Sequence, residues 1–197
     1  MSLHQVFSHS EPLAGADLLL RHCPRCGVRF AAQALARFER QRCGRCGYVH
    51  YLNPAPGIAM LVKSPAGEIL IGRRRAAVRY GHRWCLPGGY IEYEESFLDA
   101  AHREVREETG LEVRIDGIVN VVSNHLADGH HTLVIVLLGE VLAGRPAPGD
   151  DLEELRWIDR QAHAGIDYAF AADRRIIDGY FAGNLRLLPV EIGIERG

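Results

Sequence analysis

Lysine is nearly missing from this chain: one residue, against 22 arginines, in a length of 197. With alanine and glycine abundant, that bias reads as the mark of a GC-rich genome, and no arginine points to a function by its identity alone. Long apolar runs are missing too. No stretch approaches the ~20 residues of a membrane span, and MSLHQVFSHSEPLAGADLLL lacks the basic start and apolar core of a secretory signal. The expectation is a cytoplasmic protein without a membrane partner. There is no internal repeat, no low-complexity tract and no excess of charge. The net charge of −2 gives no global case for nucleic acid as a partner. What remains, 47% hydrophobic and 24% charged, is ordinary for a globular chain. The length suffices for one medium domain and a small one.

Five cysteines are present, and four of them stand in pairs rather than scattered as a disulfide framework. Cys23-Pro24-Arg25-Cys26-Gly27 and Cys43-Gly44-Arg45-Cys46-Gly47 are two C-x2-C-G knuckles with sixteen residues between Cys26 and Cys43. That spacing is a zinc-ribbon signal. Four thiolates suit tetrahedral Zn²⁺, and the glycine after each pair lets backbone amides turn toward the sulfurs. Redox dithiols come singly at a strand–helix junction, and four cysteine ligands leave no open position for catalysis, so the expected role is a structural Zn²⁺. Arg37–Arg42 and Tyr48–Tyr51 are the candidate ribbon strands. Cys85, in WCLPGG, is expected to be a small, partly buried hydrophobe.

The chain divides into a leader (1–20, with Ala16–Leu20 as a short helix or strand), a ribbon (21–52) and a main domain (53–197). Leu52–Pro56 reads as the linker, stiffened by its two prolines. Ile58–Val62 and Glu68–Ile71, joined by Ser64-Pro65-Ala66-Gly67, predict a β-hairpin. Arg73–Arg83 is a basic connection in which Arg73, Arg74 and Arg75 either meet phosphate or are solvated. Leu111–Val122, Thr132–Leu142 and Leu152–Ile158 predict strands, with Gly144–Asp150 a loop. Asp167–Phe181 has helical apolar spacing. Asn124–His131 is read as a loop whose His125, His130 and His131 are exposed rather than a metal site.

The stretch Gly89–Leu111, GYIEYEESFLDAAHREVREETGL, organises the rest. It predicts a loop feeding a helix that starts near Glu95 or Ser96, runs to about Thr109 and ends at Gly110, a residue suited to a left-handed C-cap. At about 100° per residue, Arg103, Glu104, Glu107 and Glu108 fall in one wedge of roughly 140°. Leu98, Ala101 and Val105 lie beside it to pack on a core, while Asp99, His102 and Arg106 face away. Like charges at that spacing repel, so a purely structural helix gains little from them. A hard divalent cation would reverse the sign of that cost, because Mg²⁺ takes oxygen ligands.

The same stretch carries a pattern of fixed offsets, G-x5-E-x7-R-E-U-x-E-E-x-G-U, with Val105 and Leu111 at the apolar positions U. Together with Trp84, Leu86, Pro87 and Gly88 it resembles the Nudix box of the Nudix hydrolases, over roughly residues 57–182. Glu94 departs from the glycine that the family often carries there. The resemblance implies an α/β/α sandwich around a mixed sheet, preceded here by the ribbon. It also implies Mg²⁺- or Mn²⁺-dependent hydrolysis of a pyrophosphate bond in a nucleoside diphosphate linked to another group. Carried over residue by residue, Glu104 and Glu108 would hold the metal, Glu107 would be a further ligand or metal-water acceptor, and the Gly89 carbonyl a backbone ligand. Arg103 would pair with Glu95 and Glu107. The general base varies in position within the family; here the acidic loop Asp150–Glu154 offers Glu154, then Glu153.

A ribbon followed by Tyr51-Leu52-Asn53-Pro54 and the box resembles two groups. The NADH pyrophosphatases carry SQPWPFPxS after the box, and EVRIDGIVNVVSNHLADGHH contains nothing like it. The chain is closer to the ribbon-bearing FAD/ADP-ribose pyrophosphatase group, which predicts ADP-ribose or FAD as substrate and AMP as a product. The proline that many ADP-ribose enzymes carry past the box is absent, with Leu126 and Ala127 in that region. Tyr51, Tyr90 and Tyr93 could wall an adenine or simply pack. The box equally serves hydrolysis of oxidised nucleoside triphosphates. A reading of another class makes the ribbon a binding module for RNA or protein. Its support is a local +6 over residues 21–46, which four thiolates on Zn²⁺ cut by about 2. Salt-dependent retention on RNA, set against turnover of ADP-ribose, separates that reading from the enzyme. A homodimer is left open.

Overall fold

The computed structural model describes residues 19–30, 40–125 and 131–190. Ribbon strands β1 (Gln41–Arg42) and β2 (Val49–His50) pair antiparallel. Residues 31–39, and with them half of the first ribbon strand expected from sequence, lie outside the described residues. So does Ala16–Leu18. Gln41 is buried, and its side-chain amide exchanges two hydrogen bonds with the backbone of Leu20, at 2.9 and 3.0 Å.

The main domain is a mixed sheet of β3 (Ala55–Lys63), β4 (Ile69–Arg74), β5 (Trp84–Cys85), β6 (Leu111–His125) and β7 (His131–Gly144), in the order β5-β4-β3-β7-β6. A further strand, β8 (Leu152–Ile158), pairs with β4. Strand β3 runs parallel to β7 along its whole length, while the β6/β7, β4/β8 and β4/β5 pairs are antiparallel. Helix α1 spans Phe97–Thr109, α2 spans Arg160–His163 and α3 spans Ala171–Phe181.

The alternation along β3 and β4 assigns the two faces, as a period of two requires. Ile58, Met60, Val62 and Leu70 join Ala100, Ala101 and Val105 of α1 in one core. Leu61, Ile69 and Ile71 join Ala172, Ile176 and Ile177 of α3 in the other. Each fully buried aliphatic side chain contributes roughly 1.5–3 kcal/mol. The result is an α/β/α sandwich, with one helix on each face of the mixed sheet. No helix among the described residues is long and apolar enough to cross a membrane.

Four expectations shift. The predicted hairpin keeps its turn, closed by Ser64 N–H donating to the Glu68 carbonyl at 2.9 Å, but its strands share only the pair Lys63↔Ile69. Beyond it they part, because β7 pairs with all of β3 and β8 with all of β4. The linker is shorter than Leu52–Pro56, since Ala55 and Pro56 already pair with Thr132 and Leu133. The helix expected from Asp167 begins at Ala171. Residues 167–169 are extended instead, with Trp84 N–H donating to the Asp167 carbonyl (3.0 Å) and Ala169 N–H to the Trp84 carbonyl (2.7 Å). Helix α2, unforeseen, is capped by the Asp159 side chain, which accepts from Ala162 N–H at 2.8 Å.

Candidate active site

Helix α1 is fixed at both ends by its own sequence. Ser96 is the N-cap, and its hydroxyl accepts from Asp99 N–H while the Asp99 carboxylate accepts from Ser96 N–H. This reciprocal box satisfies two donors that a helix start leaves orphaned. Gly110 closes the other end at φ 68°, in the left-handed region open to glycine. Between the caps, Ala101 and Val105 are buried, Asp99 and Arg106 are exposed, and the acidic wedge turns toward the loop that follows β5.

That loop, Leu86-Pro87-Gly88-Gly89, lies against the wedge so closely that side chains have no room. A Cβ on Gly89 would stand 2.3 Å from Glu104 Oε1, and one on Gly88, whose φ is +153°, would stand 2.3 Å from the Ile58 carbonyl oxygen. The Gly88 N–H donates to Glu108 Oε2 at 2.8 Å. The Gly89 carbonyl accepts from Ile58 N–H at 2.9 Å, which leaves its second lone pair for another partner.

Arg103 is the hub of the wedge. Its guanidinium grips Glu95 with two bonds (Nε to Oε2, 3.0 Å; Nη2 to Oε1, 2.6 Å), reaches Glu104 at 2.8 Å and Glu107 at 3.1 Å, and donates to the Tyr90 carbonyl at 3.0 Å. The Arg103 fork holds the Glu95 carboxyl down to about 2. Glu104 and Glu108 behave in the opposite way. Both are buried, at 8% and 2% exposure, and loss of solvent raises both. Glu108 is pushed up to about 8 by burial, against the Gly88 N–H and with the neighbouring Glu104 charge adding to the rise. Glu107 is exposed. Two buried carboxylates without a full complement of positive charge form a donor set that fits a hard divalent cation.

A cleft of about 460 Å³ opens beside the wedge. Its walls include Ile58, Ala59, Leu86, Val134 and Phe170, together with Gly88, Gly89, Asp151, Arg74 and Arg79. Of the tyrosines considered for an adenine wall, Tyr90 lines the cleft, Tyr93 is fully exposed, and Tyr51 lies under the Arg40 guanidinium, 4.8 Å from its ring centroid. Two residues that sequence reasoning did not single out, Phe170 and Asp173, belong to this cleft, and Arg74, one of the three arginines weighed for phosphate contact, lines it too. Asp173 is 6% exposed, accepts the Leu86 N–H at 3.0 Å and is pushed up to about 7 by burial. Its placement has no local sequence signal, because Leu86 is 87 residues away.

Glu153 and Glu154 are brought to Arg73, not to the wedge. The Arg73 Nε lies 3.2 Å from Glu153 and 3.1 Å from Glu154, while His82 adds a contact to Glu153 (3.3 Å) and Arg156 one to Glu154 (3.2 Å). The acids whose charges act on the wedge are Asp150, which raises Glu104, and Asp151, which raises Glu108. Arg74 and Arg75 engage this loop as well, Arg74 through Asp151 at 3.7 Å and Arg75 through the Asp150 and Asp151 carbonyls.

Away from the cleft, the four ribbon cysteines converge, with all four sulfurs within 4.8 Å of one another. The shortest cross-knuckle approaches are Cys23–Cys46 at 3.6 Å and Cys26–Cys43 at 3.7 Å. Gly27 and Gly47 take φ of 71° and 73°, turning their N–H groups back to the Cys23 and Cys43 carbonyls at 2.9 Å. This quartet is compatible with a zinc ribbon. The acids of α1 are not gathered in that way: Arg103 draws Glu104 and Glu107 to itself, and the Gly88 amide draws Glu108. Cys85 is buried rather than partly so, and burial raises its thiol. His125 and His131 are stacked, ring centroids 4.0 Å apart, as cross-strand partners within β6 and β7 rather than in a loop, while His130 lies outside the described residues.

A family profile described as the NUDIX domain matches residues 53–179. The chain belongs to the Nudix family. It is 31% identical over 134 residues to an ADP-ribose pyrophosphatase of Methanocaldococcus jannaschii, covering 68% of this chain and 75% of that one. It is 28% identical over 163 residues to the NAD-capped RNA hydrolase NudC of Pseudomonas aeruginosa, covering 82% of this chain and 56% of the relative. The Nudix chain described here thus spans little more than half the length of NudC. Among solved structures, a NUDIX hydrolase from Nitrosomonas europaea superposes with a TM-score of 0.71 at 24% identity, covering 83% of this chain and 91% of that one, a likeness of fold. As a Nudix hydrolase it is an enzyme acting on pyrophosphate bonds, in a family that generally uses divalent metals.

Proposed function

We propose that this Nudix hydrolase cleaves the pyrophosphate of a nucleoside diphosphate joined to another group, with ADP-ribose or FAD as substrate and AMP as one product. The observation that carries the reading is the buried pair Glu104 and Glu108, set against the Gly88-Gly89 loop at the side of an apolar-walled cleft. Such a site takes a flat apolar group in the cleft and a polyanion at its acidic edge. The relative named ADP-ribose pyrophosphatase supports the choice of substrate.

Mg²⁺ or Mn²⁺ held by Glu104, Glu108 and Glu107, with the Gly89 carbonyl, would supply positive charge to the phosphates and acidify a water. The protein's own groups do the rest. Arg103 holds Glu95, Glu104 and Glu107 in register through its fork. The glycines let the loop backbone approach the carboxylates with nothing between. The oxygen of water adds to one phosphorus, the bridging P–O bond breaks, and AMP leaves with the other phosphate half, such as ribose 5-phosphate. The proton of the water goes to a base. Glu154 and Glu153 are candidates from their place in the acidic loop, but both lie against Arg73 and neither lines the cleft. Asp151, which lines the cleft, is the base we advance.

The test is product identity by chromatography after incubation with ADP-ribose, FAD, NADH and 8-oxo-dGTP, each with Mg²⁺ and with Mn²⁺. AMP released fastest from ADP-ribose or FAD, by kcat/KM, is the expected result. Faster release of pyrophosphate from 8-oxo-dGTP would overturn the substrate while leaving the site standing. A second reading has its own support: the relatives named NAD-capped RNA hydrolase match 82% of the chain, and the ribbon segment carries a local +6 over residues 21–46. NAD-capped RNA therefore joins the panel as a fifth substrate.

A further inference from the structure

The arginines of this chain divide by domain. In the main domain Arg73, Arg103 and Arg114 each meet two or more carboxylates, and Arg83 and Arg156 each meet one. The described part of the ribbon and its exit, residues 19–30 and 40–53, holds six arginines and no acid: Arg21, Arg25, Arg29, Arg40, Arg42 and Arg45. All six are exposed, and among the described residues none of them forms an ion pair. A GC-rich genome explains arginine in place of lysine. It does not explain the loss of acids around these six, since the chain as a whole has 25 acidic residues against 23 basic ones. Zinc held by four thiolates would cancel about 2 of the local charge and leave the outer surface basic.

Backbone pairing gathers these residues from both knuckles. Arg25 and Arg45 hold the same place in each, directly before Cys26 and Cys46, and the four cysteine sulfurs lie within 4.8 Å of one another. Arg21 and Arg29 are brought together by the bridge His22↔Arg29 and by Phe30 N–H donating to the Arg21 carbonyl at 3.0 Å. Arg40 adjoins the pair Gln41↔His50, and its guanidinium lies over the ring of Tyr51. That ring is 55% exposed. An open aromatic ring flanked by arginine is a stacking platform for a base. The ribbon also leads directly to the cleft. Tyr51 stands six residues before Gly57, which lines the cleft and bridges to Tyr90 in the same wall. The platform is therefore no more than about 22 Å of extended chain from the cleft.

We propose that the ribbon is a docking surface for single-stranded RNA: its exposed arginines meet the phosphates, a base stacks on Tyr51, and the 5′ end of the strand reaches the cleft. This deepens the second reading above and rests on it only for the 5′ end, because docking of the strand does not require the cleft to cleave it. An acidic protein segment would meet the same charges but would leave the Tyr51 ring without a stacking partner. A nucleic-acid strand uses both features at once.

The experiment measures binding of a short 5′-monophosphorylated single-stranded RNA, labelled at its 3′ end, by fluorescence anisotropy over a range of salt concentrations. Mg²⁺ and Mn²⁺ are left out so that nothing is cleaved. The proteins are the full chain supplied with Zn²⁺, the double variants Arg21→Gln with Arg25→Gln and Arg42→Gln with Arg45→Gln, and Tyr51→Ala. Each lost phosphate contact takes about 0.7 off the slope of log affinity against log salt, so each double variant should flatten it by about 1.4 and bind about tenfold more weakly or worse. Tyr51→Ala should keep the slope and lose about fivefold or more in affinity, the scale of one stacked base. Zinc content and the unfolding midpoint should stay at the wild-type level in all three. No binding by wild type, or slope and affinity unchanged in both double variants, overturns the proposal. So does polyglutamate that displaces the RNA from wild type as well as unlabelled RNA does, a result that decides the matter even where a variant loses its zinc. Turnover of NAD-capped RNA is read separately: its absence, with RNA binding and its salt slope as expected, sinks the second substrate and leaves the docking surface standing.

Discussion

The Glu108 carboxylate accepts the backbone N–H of Gly88 at 2.8 Å, across twenty residues of chain. This bond ties the acidic helix to the glycine loop and explains why both belong to one motif. The carboxylate needs a donor once it is buried, and the loop amide needs an acceptor. A residue with a side chain at position 88 would drive its Cβ into the Ile58 carbonyl, so the approach depends on glycine.

Replacement of Glu104 or Glu108 by Gln should lower kcat by orders of magnitude and leave the fold intact. Each change removes a charge that a cation would use while keeping a hydrogen-bond acceptor. For Glu108→Gln the unfolding midpoint should hold or rise, since a neutral amide suffers less from burial than a carboxylate. Near wild-type turnover at saturating Mg²⁺ in either variant would remove that residue from the site.

Stability without Mg²⁺ or Mn²⁺ should fall as pH rises from about 5 to 8. Glu108 sits near 8 in the folded protein against 4.5 as an ordinary glutamate, and Asp173 near 7 against 3.8. Both folded values are raised, so across that window the folded state keeps protons that the unfolded chain has released. Each such proton costs on the order of 1.4 kcal/mol per pH unit. Glu95 acts in the opposite sense: held near 2 by Arg103, it stabilises above its ordinary 4.5, and that contribution is lost only as pH falls toward 2. Urea unfolding at several pH values reads the slope, and Glu108→Gln should flatten it. An identical slope in the variant contradicts the account.

Helix α1 was legible because its signals are local. Ser96 and Gly110 mark its ends, and the apolar residues Ala101 and Val105 repeat at four, so the acidic wedge follows from the sequence alone. Strands β6 and β7 were legible as apolar, β-branched-rich runs, and β8 as the strand LEELRWI. The splayed hairpin was not, since the sequence of 58–71 shows two strands and a turn but not that β7 and β8 would claim them. The start of α3 was missed for the same reason: residues 167–169 have helical spacing, and only their pairing with Trp84 makes them extended. Asp173 and Phe170 enter the cleft because α3 returns to the sheet face opposite α1, a long-range fact with no local pattern. The placing of Glu153 and Glu154 beside Arg73 is likewise set by the β4/β8 register, in which Arg73 is opposite Glu154.

The ribbon should hold one Zn²⁺ per chain. Its two strands are two residues each, too short to form a core, so the metal is expected to supply the folding energy. The backbone amide of Cys46 leads the effects that lower the Cys43 thiol to about 6, favouring the thiolate that ligates. Elemental analysis of protein purified without chelator checks the stoichiometry. In Cys43→Ser, amide exchange should rise across 19–30 and 40–52 while the sheet stays protected. Protein free of zinc that shows the same ribbon protection would contradict this role.

The last expectation sets three acids against one another. Asp151 lines the cleft and its charge acts on Glu108, whereas Glu153 and Glu154 share the Arg73 guanidinium. A base must stand within reach of the water it activates; Asp151, itself 3.7 Å from Arg74, lines the cleft, whereas Glu153 and Glu154 are not among its walls. Asp151→Asn should therefore lower kcat by about 10²-fold or more, the scale of general-base catalysis, with KM little changed. Glu153→Gln and Glu154→Gln should each cost less than about tenfold, since each leaves Arg73 one carboxylate partner and touches only a surface pairing of β4 with β8. The decisive readout is the acidic limb of the kcat–pH profile, which the loss of the base should abolish in one variant and leave in the other two. Disappearance of that limb in Glu154→Gln, with Asp151→Asn retaining it, would return the role to Glu154.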